Sequence, residues 1–179
     1  MEKLRRFIWY LAGRLFLILT LLSLFTVTFY YAMNATNIYI VLKDGMAKRA
    51  QVIMMEEDAS ELTKFFQSSY LQRDQNLQIA LEGKSPYTYY TVRGIDHRLK
   101  MTWMWCWPWD TTARAEFTET IPRIDGRVKS SSAEAARALY GDGSEYPPKW
   151  QGARYSATLV KENGQWHVRS LTLVGQVDE

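Results

Sequence analysis

LFLILTLLSLFTVTFYYAM, residues Leu15–Met33, is a run of nineteen residues without a charge. Wound as a helix at about 1.5 Å per residue it reaches roughly 28 Å, the hydrocarbon thickness of a bilayer. Leu15, Leu17, Ile18, Leu21, Leu24, Phe25, Val27 and Phe29 supply its apolar surface. The reading is a single transmembrane helix over 15–33. Tyr30 and Tyr31 at one end, and Trp9 and Tyr10 before the other, suit the aromatic belts of a membrane interface. A cleaved signal peptide fits less well, because its apolar core is shorter. Cleavage after Ala32 or Ala35 would also put bulky Tyr30 or Met33 where a small residue is required. Thr20, Ser23 and Thr26 recur every three residues. Without a GxxxG pattern, their expected role is to bond back to their own helix rather than to mark a helix–helix seam.

Charge sets the expected orientation. Lys3, Arg5, Arg6 and Arg14 precede the apolar run, with Glu2 alone opposing them, so residues 1–14 hold the whole net charge of +3. Such a bias keeps the N-terminus in the cytoplasm and predicts residues 34–179 outside it. The remaining eighteen Lys/Arg and eighteen Asp/Glu cancel. A neutral outer domain has no net pull on a polyphosphate, and no nucleic-acid partner is expected.

Working outward, Ile38, Leu42, Met46, Ala50 and Ile53 recur at three- or four-residue steps. They predict an amphipathic helix to Met55 that continues from the span or breaks near Asp44-Gly45. Asp58, three residues before Glu61, predicts the cap of a second helix, with Leu62, Phe65, Phe66 and Tyr70 on one face and an end at Gly83–Pro86. The acidic run Glu56-Glu57-Asp58 is explained by that helix start.

The period then changes to two. Tyr87–Ile95 reads as a strand. Leu99, Met101, Trp103, Trp105 and Trp107 form one face of a second strand, with Lys100, Thr102, Met104 and Cys106 opposite. Ala113, Ala115 and Phe117 alternate with Arg114, Glu116 and Thr118 in a third. Glu119 falls on the apolar side, which predicts that this strand leaves the core there. Residues 129–150 form an excursion with a short helix, Ala133 to Tyr140, stopped by Gly141. Asn163-Gly164 between Ala153–Val160 and Gln165–Val174 predicts a hairpin with a type I′ turn.

The expected fold class is α+β: a transmembrane helix, then a cone-like curved antiparallel sheet packed on two helices. The Glu61–Phe66 helix and the Leu159–Trp166 hairpin carry a resemblance to the nuclear transport factor 2-like superfamily, over roughly residues 50–175. A cytoplasmic N-terminus and an anchor ahead of such a cone is similar to the bitopic assembly subunits of type IV secretion and conjugation machines. That resemblance implies a role in assembly, and its motifs are architectural rather than catalytic.

Chemistry has few places to hide. Trp103, Trp105 and Trp107, with Phe65 and Phe66, are a candidate pocket for a sugar, peptide or lipid; the plainer reading makes them the inner face of the sheet. Trp109, Trp150 and Tyr146, beside turns and prolines, are candidate interface anchors. His97 and His167 would need to meet across the sheet to form an acid–base pair or bind a metal, and the plainer reading is two half-exposed strand histidines. The lone cysteine, Cys106, reads as a buried thiol. With no nucleophile, metal or phosphate-loop motif in the sequence, neither catalysis nor a cofactor or metal is expected.

The function expected from sequence is a single-pass, extracytoplasmic scaffold or assembly protein of the bacterial cell envelope, in secretion or conjugation. Its partners would be the membrane, other envelope proteins and further copies of itself. The alternatives are a ligand-binding or enzymatic cone with an aromatic pocket, and a regulator of sporulation or cell-wall synthesis.

Overall fold

One helix organises the protein. The computed structural model describes residues 2–177, and the whole of Glu2–Met55 is a single unbroken α-helix, α1. From Leu4 to Met33 its apolar side chains are exposed, and the 18-residue window most apolar within it has a mean hydropathy of 2.0 and no buried residue. Thr20 and Thr26 donate their hydroxyls to the carbonyls of Phe16 and Leu22, both at 2.9 Å. That is the back-bonding expected of them.

Burial begins at Asn34. From there Ile38, Leu42, Met46 and Ala50 are wholly shielded from solvent on one stripe of α1. Removing Ile38, Leu42 and Met46 from water contributes about 1.5–3 kcal/mol each. The helix does not break at Asp44-Gly45. Gly45 serves packing instead: a Cβ there would lie 2.8 Å from the Cβ of Phe65 and 3.3 Å from the Phe66 ring. The helix ends where Glu56 turns to φ 56°, a left-handed C-terminal cap.

The second long helix expected after Asp58 is replaced by three short pieces. A 3-10 turn spans Ala59–Lys64, and α2 (Ser68–Leu71) and α3 (Gln75–Leu81) follow. Asp58 does cap, but it accepts from the Ser60 N–H rather than from Glu61. The interruption has a cause in hydrogen bonding. Val168 N–H donates to the Phe65 carbonyl at 2.7 Å, and Gln67 N–H to the Val168 carbonyl at 2.9 Å. Phe66 thus pairs with the sheet as a short parallel bridge, and a backbone so engaged cannot close helical bonds. Glu57 and Glu61 both hold Lys48 of α1, at 2.8 and 3.1 Å, and Glu56 meets Lys129 at 3.1 Å. Within the acidic run, Glu56 and Glu57 are therefore paired with cations, while Asp58 caps the start of the 3-10 turn.

Six strands follow: β1 (Tyr90–Ile95), β2 (Arg98–Trp105), β3 (Thr112–Thr120), β4 (Ile124–Val128), β5 (Ala153–Glu162) and β6 (Gln165–Gln176). They make two antiparallel sheets rather than one, a four-stranded β2-β3-β5-β6 and a two-stranded β1-β4. Gly126 allows the smaller sheet to be covered closely, since a Cβ there would meet Pro147 at 2.9 Å. α4 (Ala133–Tyr140) stops at Gly141, φ 69°, as its sequence predicts. The β5–β6 turn also forms as expected, with Asn163 at φ 51° and Gly164 at φ 84°. On the inner side of the large sheet, Phe117, Ala115, Leu159 and Val168 pack with Phe66, Leu62 and the stripe of α1 into one core.

Candidate functional site

The tryptophan strand has a different orientation from the one its alternation predicts. In β2, Met101 stands opposite Phe117, but Trp103 stands opposite Glu116, the very next residue of β3. Thr102 is an extra residue, a β-bulge, and one such insertion exchanges the faces of everything beyond it. Leu99 and Met101 therefore pack on the core before the bulge, and Met104 and Cys106 after it. Trp103, Trp105 and Trp107 face outward, 48, 47 and 45 % exposed, which overturns their placement as the inner face of the sheet.

Nor do they form a pocket with Phe65 and Phe66. Phe66 is buried and stacked on Tyr70 at 5.4 Å, and Phe65 packs over Gly45. Trp105 and Trp107 lie instead in an aromatic chain with Trp109. Trp105 meets Trp107 edge-on at 5.2 Å, and Trp107 stacks on Trp109 at 5.4 Å with ring planes 13° apart. Cys106, between them, is buried, as its sequence reading has it. Burial, and then the Asp110 carboxylate, raises its thiol above the ordinary value, which keeps it a poor nucleophile.

The interface candidates are dispersed. Trp109 is 70 % exposed at the β2–β3 turn, Trp150 packs against the core beside Tyr87 at 6.4 Å, and Tyr146 lies under the Arg127 guanidinium at 4.3 Å.

A buried polar cluster, absent from the sequence reading, ties α1 to the domain. Arg49 Nη2 donates to Asp74 Oδ1 at 2.9 Å and its Nε to Oδ2, in the two-pronged geometry that guanidinium and carboxylate favour. Asp74 also caps α3 through Leu77 N–H and accepts from the Tyr70 hydroxyl at 3.2 Å. Burial alone would raise the Asp74 carboxyl, but the Arg49 bonds outweigh it and hold it below the ordinary value. Burial pushes the Tyr70 phenol well up. The sequence did carry a signal for this pair: Arg49 stands on the apolar stripe, one turn from Met46 and Ile53.

Glu119 is the second member. Its strand does not leave the core, and its carboxylate is fully shielded, 3.1 Å from His97 Nε2. The His97 side chain is 6 % exposed, not half-exposed. Burial, then the Glu119 carboxylate, raises the Tyr155 phenol. His167 does not join His97. Arg98 pairs with Thr120, whereas His167 aligns through Val160 with Thr112. Eight residues of β3 separate those levels, about 26 Å at 3.3 Å each. Among the described residues, no three His, Cys, Asp or Glu side chains gather where they could hold a metal.

A cleft of about 310 Å³ lies in the outer domain between α3 and the far end of the sheet. Ile53, Ile79, Tyr87, Trp150, Tyr155 and Leu173 supply its apolar walls. Burial holds the Tyr87 phenol up to about 12. The Trp150 indole N–H is buried without an acceptor among the described residues. Ile79 and Leu173 are 43 and 56 % exposed at the rim.

No family model, curated protein or solved structure matches this chain.

Proposed function

We propose that this is a single-pass membrane-anchored protein whose extracytoplasmic domain acts as a docking or assembly module of a cell-envelope complex, with secretion and conjugation machines as its setting. One observation carries the reading. The helix that is apolar enough to cross a bilayer runs without a joint into the domain and becomes its central core helix. A leash would let the domain range freely, whereas a shared helix fixes its distance and tilt from the membrane. That suits a part whose surfaces must meet neighbours in a set geometry. The four cations before the span favour a cytoplasmic N-terminus. The helix-then-antiparallel-sheet order supports a cone-like relative of the nuclear transport factor 2-like superfamily.

The test is mild crosslinking of the full-length tagged chain in its native membranes, followed by purification and mass spectrometry. A reproducible set of other envelope proteins is expected. Inserting four glycines after Asn34 should reduce that set while leaving membrane attachment intact. Recovery of the chain alone, or full function from the domain without its anchor, contradicts the proposal.

A second reading, a ligand-binding domain, is favoured by the cleft at Tyr87, Trp150 and Tyr155, whose buried indole N–H offers a hydrogen bond. Panels of sugars, peptides and lysolipids would then raise the unfolding temperature, and Trp150→Phe, which keeps a ring and removes the donor, would reduce that rise. No shift across the panels sinks this reading.

A further inference from the structure

The exposed aromatic chain is built at one particular height on α1. Tyr31, in the last turn of the apolar run, meets the Trp105 ring at 6.2 Å. One turn on, the Asn34 side-chain amide donates to the Pro108 carbonyl at 3.2 Å. These two contacts pin the β2–β3 turn to the level where the apolar surface of the helix gives way to the domain. Trp105, Trp107 and Trp109 keep much of their ring surface open there. A chain of three indoles left in water is costly, since each ring carries on the order of 150–250 Å². Tryptophan is also the residue most at home where hydrocarbon meets headgroup, its ring in one and its N–H in the other.

We propose that the Trp105–Trp109 turn seats in the interfacial layer of the same bilayer that α1 crosses, as a second membrane contact beside the anchor. This rests on the anchor reading: a bilayer whose boundary falls at Tyr30–Met33 brings its headgroups to this turn. Within Trp105–Thr111 the only charged residue is Asp110, so the attraction comes from the indoles and not from anionic lipid. The bulge at Thr102 gains a purpose in this account, since it turns the tryptophans away from the core. A helix alone leaves rotation about its own axis free. A second contact off that axis fixes which face of the domain looks along the membrane.

The experiment uses the full chain with Trp9→Phe, to silence the other aromatic belt, in phosphatidylcholine vesicles brominated at the acyl carbons nearest the headgroup. Bromine quenches only indoles that reach it. Strong quenching is expected, and adding Trp107→Phe and Trp109→Phe should remove about half of it, with the circular dichroism unchanged because both rings are on the surface. If the chain floats with the vesicles and quenching is the same with or without those two rings, the turn does not touch lipid and the inference is overturned while the anchor stands. If the chain fails to float at all, the anchor reading fails and takes this one with it.

Discussion

Arg49 of α1 and Asp74 at the start of α3 form a two-pronged ion pair with side chains only 5 and 4 % exposed. It is a buried polar tie between the helix that enters from the apolar segment and the domain built around it. Removing one partner leaves the other charged, buried and unpaired, at a cost of about 3–5 kcal/mol. Asp74→Asn or Arg49→Met should therefore lower the unfolding midpoint of the detergent-solubilised protein sharply, followed by tryptophan fluorescence. Arg49→Met combined with Asp74→Leu should recover most of the loss, because no charge is then stranded. Equal loss in the double variant would mean that packing, not charge, decides the site.

The same pair predicts the acid limit of stability. Asp74 is held below its ordinary value of 3.8 in the fold, so the unfolded chain takes up its proton first as pH falls. Its contribution is intact above pH 3.8 and is lost below it, and Asp74→Asn should flatten that limb. Tyr87 acts at the other end. Its phenol titrates near 10 when unfolded and near 12 when folded. Stability should thus fall from pH 10 to about pH 12, by an amount on the order of 2–3 kcal/mol from this group. A flat profile there would contradict the burial of Tyr87.

Gly45→Ala tests the seam between α1 and the Phe65–Phe66 bridge. Alanine favours a helix by about 1 kcal/mol over glycine. Here its Cβ would stand 2.8 Å from the Phe65 Cβ, an atom fixed to the backbone that no rotamer change can move. Overpacking should win, with a net loss of about 1–2 kcal/mol. Gly13→Ala, where a Cβ meets nothing within 4 Å, is the control that should show no such loss.

Deleting Thr102 tests the bulge. Without the extra residue Met101 is followed directly by Trp103, and strict alternation keeps Trp103, Trp105 and Trp107 outward and Met104 and Cys106 inward. The expected result is therefore a folded protein whose Cys106 thiol stays inert to a soluble disulfide reagent. Failure to fold, or a Cys106 thiol newly reactive, would refute this account of the strand.

Much of this architecture is legible in the residues themselves, and the exceptions share one cause. Apolar stripes with the period of a helix, the Asn163-Gly164 turn and the stop at Gly141 are local signals, and the elements they mark form. What local signals miss is set by partners distant in the chain. Phe65–Gln67 look helical until Val168 takes their hydrogen bonds. Thr102 has nothing about it that marks a bulge, yet it decides which way three tryptophans face. Glu119 on an apolar face reads as an end to the strand, because its partner His97 lies twenty-two residues away. Arg49 is the instructive case. A cation on an otherwise apolar helical stripe announces a buried partner, though not which carboxylate it will be.

In the proposed arrangement the apolar half of α1 spans a membrane and holds the domain against its outer face. Single cysteines at Glu2 and Lys149, each in a Cys106→Ala background, test it in sealed right-side-out vesicles with a membrane-impermeant maleimide. The account predicts that Lys149→Cys labels at once, that Glu2→Cys labels only after permeabilisation, and that both chains stay with the membrane through an alkaline carbonate wash. Release by the wash, or labelling of both positions on one side, would contradict it.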